Sequence, residues 1–290
     1  MAVGDPARNP AVWGWDHIRS ALAGMEAASH RPAVHMVSAP RIRRIGVADL
    51  RAALAGGITD FRADPTHYVV LCALYPVLGL VLARLASGAH ALPLIFPLVA
   101  GFALIGPFAA VGLYELSRRR EAGQDIAWWH AFGVIGSPGF GGILKLGLLL
   151  AGLFVLWLLV AEGIYLLTVA PLAPATAGAL AHAVTSTWRG WILLVVGNGV
   201  GFLFAVVALV LGVVSFPMMV DRAVPVELAL QTSLRAVRAN KLAMVGWGLI
   251  VAVGLVVGSI PLLLGLAVVI PVLGHTTWHL YRRMVAFGPD

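Results

Sequence analysis

Three sets of residues have the types and spacing for chemistry. Glu162 lies inside an apolar run, LLVAEGIYLLT, where an ionisable group is costly unless it faces protein or water. Asn198 is expected at a similar depth in the next apolar run, and its amide could donate to the Glu162 carboxyl. The pair reads either as a proton or cation site or as a neutral interhelical hydrogen bond that fixes packing. The second set is Glu115, Asp221 and His279, each at the charged end of an apolar run. If the three converge, they form a cation site at one membrane face. The local alternative pairs Glu115 with Arg118 or Arg119, sets Asp221 beside Arg222, and leaves His279 one turn from Arg283. The third set is His275 and His279. Imidazoles at i and i+4 share a helix face and can bind one metal, but nothing fixes a third ligand. Haem would need histidines facing each other across helices. No cofactor is therefore expected.

Other chemistries are set aside on similar grounds. Gly197, Gly199 and Gly201 surround Asn198, but no strand or phosphate ligand accompanies them. Gly197 and Gly201 read as a small-xxx-small pair for close helix contact. The single cysteine, Cys72, lies in an apolar run and excludes a disulfide framework or a cysteine zinc site within one chain. No Ser–His–Asp or Cys–His arrangement stands out in the linear sequence. The formal charge of +7 does not indicate nucleic acid, because the basic residues are scattered at the ends of apolar runs, as membrane orientation requires.

The elements that must position these residues are membrane helices. Hydrophobic residues make up 60% of the chain and charged residues 11%, against roughly 25% charged in a soluble domain. A soluble chain of this length still needs polar residues to cover its surface. The expected fold is all-α and polytopic, with spans at 67–86, 92–114, 143–168, 191–219, 243–258 and 261–279. The last two form one apolar stretch broken at Gly258-Ser259-Ile260-Pro261, read as a tight hairpin rather than one kinked helix. Arg41, Arg43, Arg44, Arg51 and Arg62 precede the first span. Arg118, Arg119, Arg120 and Lys145 surround the second-to-third connection. Arg222, Arg235, Arg238 and Lys241 lie between the fourth and fifth, and Arg282 and Arg283 follow the sixth. Only Arg84 and Arg189 fall opposite, which places both termini in the cytoplasm. No signal peptide is read near the start, so insertion through the first span is expected. Residues 1–40 read as a tail, partly disordered, in which Trp15, Ile18, Leu22 and Met25 have the spacing of a short amphipathic helix.

The membrane part, 41–290, contains an internal repeat. GPFAAVGLYELSRRR at 106–120 aligns without a gap on IPVLGHTTWHLYRRM at 270–284. Pro107 then meets Pro271, and Arg118-Arg119 meet Arg282-Arg283. Upstream, FRAD at 61–64 matches VRAN at 237–240. Three parallel units are expected, at about 45–120, 121–222 and 223–285. Each contains a surface helix, a span, an outer turn and a returning span. Val47, Leu50, Leu54, Ile58 and Phe61 form the apolar stripe of the first surface helix, with Asp49, Thr59, Asp60 and Arg62 elsewhere. Val226, Leu230, Leu234 and Val237 form that of the third. The middle one, Ile126 to Ile135, carries Trp128, Trp129 and His130. Such helices lie along headgroups, where basic residues attract anionic lipid.

Four segments also resemble a bacterial family of predicted integral membrane proteins, a domain of unknown function. They are RRIGVADLRAALAGGITDF, PFAAVGLYELSRRRE, VVSFPMMVDRAV and PVLGHTTWHLYRR. The resemblance implies an inner-membrane location and little chemistry. Some relatives carry the label cytochrome c oxidase subunit I. That subunit looks like a twelve-helix protein with several intramembrane haem and copper histidines, which this sequence lacks.

These readings leave three function classes. The first is a non-catalytic membrane scaffold or accessory protein with a membrane-protein partner. The second is a small-solute or ion- or proton-coupled transporter using Glu162 and Asn198. An enzyme or redox protein has the least support. Lipid is the expected partner in every case, and nucleic acid in none.

Overall fold

The computed structural model describes residues 40–63, 97–98, 101, 106–108, 110–174, 176–261 and 263–288. The expected tail up to residue 39, Cys72, the span 67–86 and most of the span 92–114 lie outside the described residues. In chain order the elements are β1 (Arg41–Ile42), α1 (Val47–Ala63), α2 (Val111–Glu121), a 3-10 helix (Trp128–Gly136), α3 (Phe140–Thr168), α4 (Ala177–Ser186), α5 (Trp188–Gly212), α6 (Ser215–Asp221), α7 (Val226–Ala239), α8 (Lys241–Ser259), α9 (Leu266–Met284) and β2 (Val285–Ala286).

Three stretches are long and apolar enough to cross a bilayer: Phe140–Thr168, Trp188–Asp221 and Lys241–Ser259. The 29 residues of α3 give a helix about 43 Å long at 1.5 Å per residue, enough to exceed a hydrocarbon core of about 30 Å. Its interior holds no proline, and Pro171 lies just beyond its end. Thr187 caps α5, its hydroxyl accepting from Gly190 N at 3.0 Å. Large apolar side chains on these helices point outward, including Leu148, Leu159 and Leu167 on α3, Val195 and Phe202 on α5, and Val245 and Val256 on α8. In water such a surface would drive association; in lipid it is the stable arrangement.

The apolar stretch near the C-terminus divides where the sequence breaks. After α8 the chain turns through Leu263, whose φ is 67°, and α9 returns antiparallel. A Cβ on Gly265 would lie 2.7 Å from the Gly258 carbonyl oxygen, and one on Gly254 would meet Val269 and Leu273 at 3.3 and 3.6 Å. The Gly265 position needs glycine for this close approach, while at Gly254 the Val269 side chain would have to shift slightly. Of the segment 261–279, the turn takes the first residues, and α9 runs from Leu266 to Met284.

At the charged end, α2, α6 and α9 pack on one another around fully buried Tyr114, Phe216, Met218, Trp278 and Tyr281. α1 lies along α9, the 3-10 helix along α2, and α7 against α5 and α6. Two further ties join the early and late chain. β1 pairs antiparallel with β2, Arg41 opposite Ala286. Buried Asn240 accepts from Ile45 N at 2.7 Å and donates to Arg43 O at 3.1 Å.

The surface helices meet the rest of the protein through their small residues. On α1 the buried residues are Leu50, Ala53, Gly57 and Asp60, not the whole stripe from Val47 to Phe61; Val47 is exposed. On α7 they are Ala229, Thr232, Ser233 and Ala236, while Leu230, Leu234 and Val237 are half-buried. The reason is distance: small residues let the helix axis approach the protein closely, and bulky apolar groups then occupy the flank. The middle surface element is a 3-10 helix, with Ala131 and Val134 inward and Trp128, Trp129, Phe132 and Ile135 outward.

Candidate functional site

The densest polar cluster forms where α1, α2 and α9 meet. Gly57 brings α1 onto α9 so closely that any Cβ there would strike Thr276, and Gly56 packs beside the His279 ring. One turn along the same face, this approach inserts Asp60, whose side chain is 7% exposed. Its Oδ2 accepts from Ser117 Oγ at 2.8 Å and lies 3.0 Å from His279 Nε2. Its Oδ1 is 3.7 Å from Arg120 Nε. Ser117 Oγ also lies 2.7 Å from His275 Nδ1. Since Ser117 gives its one proton to Asp60, its oxygen must accept from His275, so Nδ1 carries hydrogen there. Asp60, as a carboxylate, likewise accepts from His279 Nε2–H. Burial pushes the Asp60 carboxyl up, but the hydrogen bonds from His279 and Ser117, with the charges of His279 and His275, outweigh it and hold the group below its ordinary value.

A second network adjoins the first. Glu115 takes two hydrogen bonds from Arg118, both 2.7 Å, with Arg119 at 3.7 Å. Asp221 accepts from Tyr281 OH at 2.8 Å and from Arg282 at 3.3 Å, with Arg222 at 3.6 Å. Glu121 receives Arg282 at 2.8 Å and Trp278 Nε1 at 3.0 Å. The hydrogen bonds that Arg118 donates to Glu115 chiefly stabilise its guanidinium, against some desolvation, with the charges of Glu115 and Asp221 adding to them.

The structure therefore brings Glu115, Asp221 and His279 to the same end of the molecule, on three mutually packed helices. Each meets a different partner: Arg118 and Arg119, then Tyr281 and Arg282, then Asp60. His275 and His279 share a helix face, but their nearest polar atoms belong to Ser117 and Asp60 respectively. Among the described residues no group of three or more His, Cys, Asp or Glu side chains could hold a metal ion.

Glu162 and Asn198 lie elsewhere, on α3 and α5. Asn198 is exposed and donates to Leu194 O of its own helix at 2.8 Å. Glu162 Oε2 is buried with no hydrogen-bond partner, so no bond joins the two. Asn198 lines a recess of about 190 Å³ together with Trp157, Ala161, Tyr165, Leu194 and Gly197 among others; Glu162 is not part of that lining. Gly201 packs against Trp157, whose ring a Cβ would approach to 2.9 Å. Gly197 instead lines the recess.

Asp60, Ser117 and Arg120 did not stand out as site residues in the sequence. The available signal was the ladder Leu50, Ala53, Gly57, Asp60: a carboxylate on the small-residue face of a helix must enter whatever that face packs against. Serine, histidine and aspartate do meet here, yet not in a hydrolytic order. The serine contacts Nδ1, the aspartate contacts the serine, and Ser117 is 1% exposed, so no substrate atom can reach it.

No curated protein and no solved structure matches the chain. The family model described as predicted integral membrane protein (DUF2189) matches residues 94–221, and together with the three apolar helices this makes the chain an integral membrane protein, similar over that segment to a family whose function is unknown.

Proposed function

We propose that the protein is a non-catalytic scaffold or accessory protein of the bacterial inner membrane, with six spans in three units and both termini in the cytoplasm. The observation that carries this reading is the pattern of contacts at the charged end. Each surface helix packs on the closing helix of the preceding unit: the 3-10 helix on α2, α7 on α5 and α6, and α1 around to α9. The carboxylates there are engaged by neighbouring side chains, which suits a rigid platform facing a protein partner and anionic headgroups better than a substrate cavity. Affinity purification from native membrane in mild detergent tests it. A partner retained at fixed stoichiometry supports the reading. Recovery of the chain alone, whatever the detergent, contradicts it.

A second reading is an ion- or proton-coupled transporter of small solutes. It is favoured by Glu162 Oε2, a buried carboxylate oxygen without a hydrogen-bond partner, on a residue that follows Ala161 of the recess lining. Proteoliposomes that show proton-coupled flux, lost in Glu162→Gln with folding intact, would establish it. Equal flux in both forms would remove Glu162 from the mechanism.

A further inference from the structure

α5 turns two glycines toward α3, one helical turn apart, and a side chain covers only one of them. Gly201 lies under the Trp157 ring. Gly197 faces open space: among the described residues, a Cβ there would meet only Leu193 of its own helix, at 4.0 Å. That space is the recess of about 190 Å³, walled by Ala161 and Tyr165 of α3, Leu180 and Val184 of α4, and Leu193 and Gly197 of α5. The side chains with polar atoms on its lining are Trp157, Tyr165 and Asn198. Of these, Trp157 Nε1 already donates to Pro97 O and Asn198 Nδ2 to Leu194 O, both at 2.8 Å. The remaining walls are apolar. Water gains little in such a space, and left unfilled it forfeits packing on every side.

The surroundings of the recess identify its occupant. It lies toward the ends of α3 and α5 that are remote from the charged cluster. Leu166 and Leu167, next to Tyr165, and Trp191 and Val195 on α5 are exposed, so the solvent at its mouth is acyl chain. Arg189 stands four residues before Leu193 and eight before Gly197, a spacing that puts all three on one helix face. Its guanidinium lies 5.5 Å from the centre of the Trp188 ring, a contact that leaves its positive charge without a carboxylate among the described residues. Exposed Trp188 and Trp191 mark this level as the headgroup boundary.

We propose that the recess binds an acyl chain of one phospholipid, whose phosphate is held by Arg189. Arg189 and Gly197 are about 12 Å apart along the helix axis. One lipid standing along α5 therefore reaches both, with its phosphate at headgroup level and its chain in the hydrocarbon. The guanidinium offers charge-assisted hydrogen bonds to phosphate oxygens, and glycine at position 197 leaves room for the chain. The proposal goes beyond the scaffold reading and does not depend on it.

The test titrates the delipidated full chain, in detergent, with palmitoyl-oleoyl phosphatidylglycerol and counts bound lipids by native mass spectrometry. Wild type should bind one lipid more tightly than the rest. Gly197→Leu fills the recess from a position with room for the side chain, and should abolish the tight site. Gly199→Leu adds the same side chain outside the recess lining, where a Cβ meets nothing within 4 Å among the described residues, and should leave the site intact. Arg189→Gln should weaken it about tenfold, the loss of one hydrogen bond to a charged group. Lying outside the recess, Arg189→Gln also keeps the test open if Gly197→Leu misfolds by circular dichroism. Unchanged affinity in a folded Gly197→Leu or in Arg189→Gln overturns the proposal, as does equal loss in both leucine variants. A wild type that binds no lipid tightly overturns it too, whether the chain runs alone or carries a second copy or another polypeptide instead.

Discussion

The charged end of the molecule and its apolar half are held together by different physics. At the charged end, α1, α2, α6 and α9 are joined by directional contacts: Asp60 with Ser117 and His279, Asp221 with Tyr281 and Arg282, Glu121 with Trp278 and Arg282. In the apolar half, α3 and α5 meet through Trp157, whose ring packs at a tilt against Phe204 with centroids 5.6 Å apart, covers Gly201 and donates to Pro97 O at 2.8 Å. Lipid tails are as apolar as these side chains, so contact there gains only packing. Water and headgroups compete for the charged end, so the carboxylates buried there take partners from neighbouring helices. The lesson is that substitutions should act unevenly, strongly at the α1–α9 contact and weakly at Glu162.

The largest loss is expected for Asp60→Ala, which removes the acceptor shared by Ser117 and His279. Breaking a buried ion-paired network from one side costs about 3–5 kcal/mol, read by thermal or denaturant unfolding in detergent. Gly57→Ala follows. Its new Cβ would lie 2.6 Å from the Thr276 backbone nitrogen, and overpacking of this kind costs about 1–3 kcal/mol. An unaltered melting temperature in Gly57→Ala would show that α1 does not lie on α9 as described.

The acid dependence comes next. The folded Asp60 carboxyl titrates below its ordinary range, so the carboxylate contributes stability that is present above about pH 4 and is lost as pH falls through the folded value. Asp60→Asn should lower stability at neutral pH and flatten this acid limb of the stability curve, so that the difference from wild type shrinks as pH falls. Smaller still is Asp49→Asn. The Arg283–Asp49 pair, at 3.3 Å, has side chains 42% and 37% exposed, so its loss should cost under about 1 kcal/mol and vanish in high salt. Glu162→Gln should fall within about 0.5 kcal/mol of wild type, since Oε2 accepts no hydrogen bond.

The spans were the most legible part of the sequence. α3, α5 and α8 are continuous apolar runs whose membrane setting follows from length and composition alone. The break after Gly258 was also legible, because glycine and proline act locally. The faces of the surface helices were not. An apolar stripe identifies a buried face when only water and protein compete. Here lipid offers a third environment, and Leu54, Ile58 and Phe61 can be half-buried on the flank while Gly57 takes the protein contact. Asp60 was hidden for a further reason: its partners lie 57 and 219 residues away in sequence. Local spacing did anticipate the Glu115–Arg118 pair, which spans one helical turn. It could not anticipate that Asp221 would be reached by Tyr281 and Arg282 from α9.

The account rests on Asp60 joining α1 to α9, and a double-mutant cycle measures that joint directly. Asp60→Ala, His279→Ala and the double variant would be unfolded side by side in the same nanodiscs. Contact between the two residues predicts a coupling energy of about 1–3 kcal/mol, whereas additivity within about 0.5 kcal/mol would place them apart and contradict the account.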